Sequence, residues 1–269
     1  MKPRKPQTAS RLKLQPSDGE ALALTLLALA YSNLLPWWAS RRGLNPESMF
    51  RRVNVWLVAL MLAYTARRPG GLGRAGLSKH GAVKSVAGGT LAGLGLSVPP
   101  LIFFYRPILL DTPLEYGPIT GMSRREVLED LLVGVPVKIA LLEELLFRGL
   151  IFSALRRTHS LPLSLAGASA AFAGWHFSVT YTTAAQTNLS TAARLPRFLK
   201  PFVQPLAVLG GMLSTGLAGV AFGLVRERTG NLAGPIVAHW LVDGIMIYSL
   251  WRGRPDQTPL SAHQAAIQH

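Results

Sequence analysis

The sequence predicts an all-α protein, a polytopic bundle of about seven (six to eight) transmembrane helices with an active site between three or more of them. Three observations favour this class. Apolar residues make up 49% of the 269 residues and charged residues only 15%, whereas charged residues are roughly a quarter of a soluble domain. The mean hydropathy is +0.28. The Lys and Arg residues cluster between long apolar runs, as they do at the ends of membrane spans.

The apolar runs define the predicted order of elements. Most are long enough to cross a hydrocarbon layer about 30 Å thick, and the second run is the shortest. The predicted spans lie near residues 21–40, 53–66, 82–104, 131–155, 161–181, 202–225 and 234–251. We divide the chain into an exposed basic tail (1–19), a single transmembrane domain (20–251) with its motif-bearing core at 123–251, and a polar C-terminal tail (252–269).

Two local patterns describe how these helices begin and pack. Ser123 and Glu126 have the spacing of a capping box, which predicts a helix of about thirty residues that could kink at Pro136. Small residues recur at four-residue spacing, which lets helix backbones approach closely in lipid. They are Gly89 and Gly93 in the third run, and Gly211, Thr215, Gly219 and Gly223 in the sixth.

The formal net charge of +15 is explained by the membrane rather than by nucleic acid. The Lys and Arg residues lie at the ends of the predicted spans, where they contact anionic lipid headgroups and bias orientation. We therefore expect membrane lipids as partners and no nucleic acid. The chain has no cysteine, which excludes disulfides, thiolate zinc ligands and a cysteine nucleophile.

Three charged residues interrupt the fourth apolar run: Glu143, Glu144 and Arg148. A single Asp, Lys or Arg at the centre of a membrane helix costs roughly 2.5–3.5 kcal/mol, so this cluster needs partners or water. Glu144 and Arg148 are four residues apart on a helix and can form an ion pair. Glu143 is rotated by about 100° from Glu144, which leaves it free to act as a general base. The alternative is a buried polar network that only specifies helix packing.

Two later apolar runs supply partners for this cluster. His176 lies in the fifth run, and His239 and Asp243 lie four residues apart on one face of the last run. Imidazole and carboxylate groups that converge from separate helices can activate water, bind a metal or stabilise an oxyanion. Counting about 1.5 Å per residue places His239 near the start of its helix and His176 far from the start of its own. Their convergence therefore requires helix tilt or other helix boundaries.

Other hydrolytic mechanisms lack their motifs in this chain. No His-Glu-x-x-His zinc motif and no Gly-x-Ser-x-Gly nucleophile elbow occurs. Asp243 has no second aspartate in a facing span, which counts against an aspartyl dyad. The sequence thus favours chemistry based on glutamate and histidine.

The ordered set Glu143-Glu144-x-x-x-Arg148, Phe172-x-x-x-His176 and His239-x-x-x-Asp243 resembles the motifs of the CPBP family. That family comprises the type II CAAX prenyl endopeptidases and their bacterial relatives, also called the Abi family. The segment from Glu227 to His239 is similar to the family's approach to its last motif. The resemblance covers about residues 125–250.

The resemblance implies an intramembrane endopeptidase in which Glu143 and His176 activate the attacking water, while His239 and Asp243 stabilise the oxyanion. Some members carry Asn at the last position. Because an ionised Asp cannot donate a hydrogen bond, Asp243 could instead orient His239 or be protonated. Members have been described both as metalloproteases and as enzymes with glutamate-activated water. A zinc ion bound by Glu143, His176 and His239 is therefore one of two open possibilities.

Together these observations predict an integral, multi-pass enzyme of a prokaryotic-type cell membrane that hydrolyses a peptide bond in a membrane-associated or lipidated peptide. Two alternatives stay open. One is a non-catalytic membrane scaffold or chaperone, and the other is a proton or ion transporter built on the buried carboxylates and histidines. A transporter would spread its polar residues along several spans, whereas here they concentrate in three helices.

Overall fold

The computed structural model describes residues 15–105, 110–112 and 114–253, and these residues form an all-helical bundle. The predicted tails, 1–19 and 252–269, lie largely outside the described residues. The described residues contain no β-strand, only two isolated bridges. The predicted all-α fold class is confirmed.

Eight longer helices make up most of the described chain. They are α1 (Pro16–Arg41), α2 (Pro46–Ala66), α3 (Ala82–Tyr105), α4 (residues 124–155), α5 (Leu161–Trp175), α6 (Phe177–Gln186), α7 (Val203–Thr229) and α8 (Ala233–Arg252). Short helical segments lie between them at Gly71–Arg74, Gly117–Thr120, Leu189–Ala192 and Arg197–Phe202. Six of the seven predicted spans each coincide with one longer helix, whereas the fifth, 161–181, is divided between α5 and α6.

Among the described residues, four helices are long and apolar enough to cross a membrane: α1, α3, α7 and α8. The second and fifth predicted spans correspond to shorter apolar helices, Arg52–Ala66 within α2, and α5. Large apolar side chains are exposed on these helices, among them Trp56, Leu91 and Leu217. Such a surface is unusual for a soluble monomer and normal for a helix that contacts lipid.

Apart from α6, the longer helices run alternately between two ends of the bundle. At one end, Glu20 near the start of α1 forms ion pairs with Arg68 after α2 and with Arg157 after α4. We call this the basic end; α3, α5 and α8 also begin there, and α7 ends there. At the opposite end, the indole of Trp251 in α8 donates to the carbonyl of Met122, just before α4, at 3.0 Å.

Helix α4 begins at the predicted capping box. The hydroxyl of Ser123 accepts from the Glu126 N–H (3.3 Å), and the Glu126 carboxylate accepts from the Ser123 N–H (2.8 Å). This backbone donor lowers the pKa of Glu126 below its ordinary value. The predicted helix of about thirty residues is therefore present, with its first turns anchored at the end opposite the basic end.

Helices α3 and α8 approach each other closely because glycine lies at their contact. A Cβ atom on Gly89 would overlap the backbone of Gly234, and a Cβ atom on Gly93 would press on the backbone of Ala238. Three glycines of α7 likewise face side chains of α5 or α6: Gly211 faces Thr180, Gly219 faces Ser169, and Gly223 faces Leu165. The predicted small-residue pattern thus lies at helix interfaces.

The turn between α7 and α8 is buried, so α8 begins inside the protein. Asn231 is 2% exposed and Leu232 is 0% exposed. The Nδ2 of Asn231 donates to the carbonyls of Ser78 (2.6 Å) and His80 (3.0 Å), and its Oδ1 accepts from the Ala233 N–H (2.8 Å). The segment before α3 therefore covers the start of α8. Both the nitrogen and the oxygen of the Asn231 side-chain amide form hydrogen bonds.

We expect Gly89→Ala to lower the free energy of unfolding by about 1–3 kcal/mol, because the new methyl group must push α3 away from α8. Gly95→Ala, in the same helix, is the matched control, since a Cβ atom there meets no other atom within 4 Å. Thermal unfolding of the purified proteins in detergent measures the difference. A Gly89→Ala protein as stable as Gly95→Ala would contradict the close contact.

Candidate active site

Helix α4 is wound as π-helix on both sides of the two glutamates. The π segments are Asp130–Ala140, which contains Pro136, and Leu145–Ile151; regular α-helix, Leu141–Glu144, lies between them. Such widened turns are frequent at functional sites, because they change the direction in which side chains project. The sequence predicted a possible kink at Pro136 but not the π winding.

Glu144 and Arg148 form the predicted ion pair deep in the protein. Arg148 Nη1 donates to Glu144 Oε1 at 3.0 Å, and both side chains are buried. The guanidinium lies over the rings of Phe172 and Phe222, 4.2 Å and 5.2 Å from their centroids. Gly219 leaves room for it, since a Cβ atom there would lie 3.2 Å from Arg148 Nη2. The ion pair thus neutralises the charge of Glu144, and the two aromatic rings stabilise the guanidinium of Arg148 through cation–π contacts.

His239 connects this ion pair to Glu143. Its Nδ1 donates to Glu144 Oε1 at 2.9 Å, and its ring stacks on Phe222. Its Nε2 lies 3.3 Å from Asp243 Oδ2 and 3.9 Å from Glu143 Oε2. The sequence analysis gave Glu144 only the role of ion-pair partner. In the structure Glu144 also orients His239, while Asp243 faces the other nitrogen of the ring.

His176 lies at a break between α5 and α6, whereas the sequence predicted one continuous span over 161–181. Its Nδ1 donates to the carbonyl of Phe172 at 2.8 Å. Because that nitrogen carries the hydrogen, Nε2 of the neutral ring has a free lone pair. Nε2 lies 3.6 Å from Glu143 Oε2. The ring therefore presents a proton acceptor to the carboxylate.

Asn33 of α1 holds the break at His176 in place. Its Nδ2 donates to the carbonyl of Gly174 (3.1 Å), and its Oδ1 accepts from the Ser178 N–H (2.9 Å). Backbone groups at helix ends lack intrahelical partners, and the Asn33 amide supplies them on both sides of His176. The sequence analysis missed Asn33; its only signal was a polar side chain inside the first apolar run.

Glu143 lies where α4, α5 and α8 converge. The indole N–H of Trp175 donates to Oε1 at 2.9 Å, and this partner was also missed. Oε2 faces the Nε2 atoms of His176 and His239, and it has no hydrogen-bond partner among the described residues. The structure therefore brings the three predicted residues together around one free carboxylate oxygen.

The buried start of α8 is the physical reason for this convergence. Because the α7–α8 turn lies below the segment before α3, His239 in the second turn of α8 is already deep in the bundle. His176 reaches the same depth at the far end of α5, which begins at the basic end. Helix α8 thus begins deeper in the bundle than α5. The two histidines therefore reach the same depth, although they lie at different distances from the starts of their helices.

The site is closed on one side and open on the other. The exposed fraction of the side chain rises from 0% at Glu144 to 8% at Glu143, 16% at His176 and 34% at Asp243. The more exposed side of the site is therefore the one that carries His176 and Asp243.

A metal ion at this site would need ligands from the same side chains. Among the described residues, no group of three His, Asp or Glu side chains is arranged to hold a metal ion. His239 also uses Nδ1 for Glu144 and shares Nε2 with Asp243. The described side chains thus do not fit a zinc ion as they stand, and we assign no step of the reaction to one. Zinc binding by Glu143, His176 and His239 stays a prediction.

Comparison with known proteins identifies a family to which part of this chain is similar. The family model described as type II CAAX prenyl endopeptidase Rce1-like matches residues 130–245. This segment is similar to the Rce1-like family. The Rce1-like segment contains all of the predicted site residues: Glu143, Glu144, Arg148, His176, His239 and Asp243. No curated protein and no solved structure gave a significant match.

The Rce1-like segment confirms the resemblance on which the sequence analysis relied. It supports a CAAX-type intramembrane protease. The Rce1-like segment and the four long apolar helices together indicate an integral membrane protein.

We expect Arg148→Met to lower the free energy of unfolding by about 3–5 kcal/mol, because Glu144 would be left as a buried charge without a cation. Arg228→Met, at an exposed arginine near the end of α7, is the control. The double variant Glu144→Gln/Arg148→Met should recover part of the loss, since it removes both charges. Unfolding in detergent measures all three. Equal stability of Arg148→Met and Arg228→Met would contradict this account of the cluster.

Proposed function

We propose that this protein is an intramembrane endopeptidase of the CAAX-protease type in which Glu143 and His176 activate the attacking water. The observation that carries the proposal is the Oε2 atom of Glu143, a buried carboxylate oxygen that lacks a partner among the described residues. It faces the acceptor Nε2 of His176 at 3.6 Å. A water molecule that donates to both acceptors would lie about 2.8 Å from each.

In the proposed reaction, Glu143 takes a proton from this water as its oxygen attacks the carbonyl carbon of the scissile peptide bond. His239, when protonated, donates from Nδ1 to Glu144 and from Nε2 to the oxyanion that forms. The C–N bond then breaks, and the proton held by Glu143 passes to the leaving nitrogen. The products are a carboxylic acid and an amine, which then ionise to a carboxylate and an ammonium group, so the reaction consumes one water molecule.

The other side chains support these three residues. Glu144, held by Arg148, fixes the ring of His239 through Nδ1. Trp175 binds Oε1 of Glu143, so Oε2 is the oxygen that points to the histidines. Asp243 is the most exposed member and lies beside Nε2 of His239, where we propose that it orients the ring until the substrate carbonyl arrives.

The proposed substrate is a membrane-associated or lipidated peptide. The family description names prenyl endopeptidases, and the open side of the site lies next to exposed apolar residues such as Phe177 (48% exposed). An apolar chain could pack against these residues through van der Waals contacts, which drive association within lipid. The alternating direction of the helices supports a multi-pass arrangement, in which such a peptide reaches the site from within the membrane.

We expect Glu143→Gln to reduce hydrolysis of a membrane-anchored reporter peptide by about 10²–10⁴-fold, because the amide cannot take the proton from water. Glu129→Gln is the matched control, since Glu129 is exposed near the start of the same helix. Turnover is measured in proteoliposomes with equal amounts of folded protein. Full activity of Glu143→Gln would contradict the mechanism and would favour the scaffold or transporter alternatives.

The same hydrolysis assay tests whether the reaction requires a zinc ion. If Glu143 and His176 activate water without a metal, turnover will be unchanged after exhaustive chelation. Loss of turnover, with recovery on addition of Zn²⁺, would instead support metal-bound water.

We expect Asn33→Ala to reduce kcat about tenfold while KM changes little, because the break that positions His176 loses two hydrogen bonds worth about 1 kcal/mol each. Asn33→Asp keeps the acceptor for Ser178 and should retain more of the activity. Kinetics of the reporter peptide, corrected for the folded fraction, measure both variants. A fall in kcat that only follows the folded fraction would show that Asn33 does not position His176.

A further inference from the structure

A cavity of about 160 Å³ opens at the basic end of the bundle. Its walls come from the end of α2, the segment Gly71–Arg74 and its neighbours, and the last turns of α4. None of the candidate active-site side chains lines it. The cavity is therefore separate from the candidate active site.

The cavity is strongly positive. Three arginines line it, Arg68, Arg74 and Arg157, and none of its lining residues is acidic. Outside the lining, Glu20 forms ion pairs with both Arg68 and Arg157, so one carboxylate is shared by two guanidinium groups. These three arginines and one carboxylate leave two positive charges in excess.

Arg68 is affected both by burial and by its arginine neighbours. Burial, and then the nearby Arg157 and Arg74, lower the pKa of this guanidinium from its ordinary value. Like charges that are held together in this way are stabilised by an anion placed between them. Thr65 and Ser153 add hydroxyl groups to the wall.

The position of the cavity points to the source of such an anion. Helix ends meet at the basic end, which in a membrane protein lies at the headgroup level. Tyr64 and Leu72, next to the lining residues in sequence, are 42% and 38% exposed. The guanidinium of Arg68 also lies over the ring of Tyr64, 5.2 Å from its centroid. A basic cavity thus adjoins apolar surface on which acyl chains could lie.

We propose that this cavity binds the phosphate group of an anionic phospholipid at the membrane surface. Guanidinium groups match phosphate oxygens with two parallel hydrogen bonds, and basic pockets between membrane helices bind lipid headgroups. Inorganic phosphate shares this chemistry, but it makes no use of the exposed apolar residues beside the cavity. A bound lipid joins the end of α2 to the end of α4, the helix that carries Glu143.

The test uses the full chain, purified in a neutral detergent, and its thermal unfolding. Phosphatidylglycerol should raise Tm in a saturable way, because a ligand of the folded state stabilises it. Phosphatidylcholine should raise Tm less. Arg74→Gln should weaken the apparent affinity for phosphatidylglycerol about fivefold, as expected for the loss of one cationic side chain near the headgroups.

Arg228→Gln is the matched control, because Arg228 is an exposed arginine at the same end that does not line the cavity. It should keep the affinity of the unmodified protein. Arg68→Gln is a second variant, expected to weaken binding in the same way. Equal weakening by Arg74→Gln and Arg228→Gln would overturn the site.

Inorganic phosphate alone separates the two sources of the ligand. If it produces the full rise in Tm at the same concentration as phosphatidylglycerol, the lipid assignment is wrong. If phosphatidylcholine and phosphatidylglycerol act equally, the requirement for an anionic headgroup is wrong. None of these readouts uses peptide hydrolysis, so their outcome is independent of the proposed enzymatic activity.

Discussion

The buried ion pair between Glu144 and Arg148 is the interaction on which the whole site depends. Two adjacent glutamates at this depth would repel each other and lack solvation, and one guanidinium, held over two aromatic rings, neutralises one of them. The same carboxylate then orients His239 through Nδ1. Oε2 of Glu143 is left facing the Nε2 atoms of His176 and His239, whereas Oε2 of Glu144, which also lacks a partner among the described residues, is fully enclosed.

Backbone features away from this pair decide where the two histidines lie. Asn33 satisfies the open backbone groups at the break beside His176, and Asn231 does so at the buried start of α8. Buried polar groups are costly unless they are paired, so these amides make irregular backbone tolerable inside an apolar bundle. The glycine contacts between α3 and α8 then fix the position of the helix that carries His239.

The basic end and the active site share helix α4, although they use different chemistry. The charged side chains at the basic end are partly exposed, whereas those in the candidate active site are nearly enclosed. Low dielectric strengthens each electrostatic contact in the enclosed site, and water and salt weaken those at the basic end. Helix α4 therefore contributes side chains both to the basic end and to the candidate active site.

By itself, the sequence determined the all-α class, the positions of the helices, the capping box of α4 and the identity of the six candidate site residues. These follow from hydropathy, from four-residue spacing and from ordered motifs, which are local properties of a helix. Only the tertiary structure decided the π winding of α4, the break at His176, the roles of Asn33 and Trp175, and the buried start of α8. Each of these depends on hydrogen bonds between residues far apart in the chain, and no local pattern records which distant partner a polar group will find.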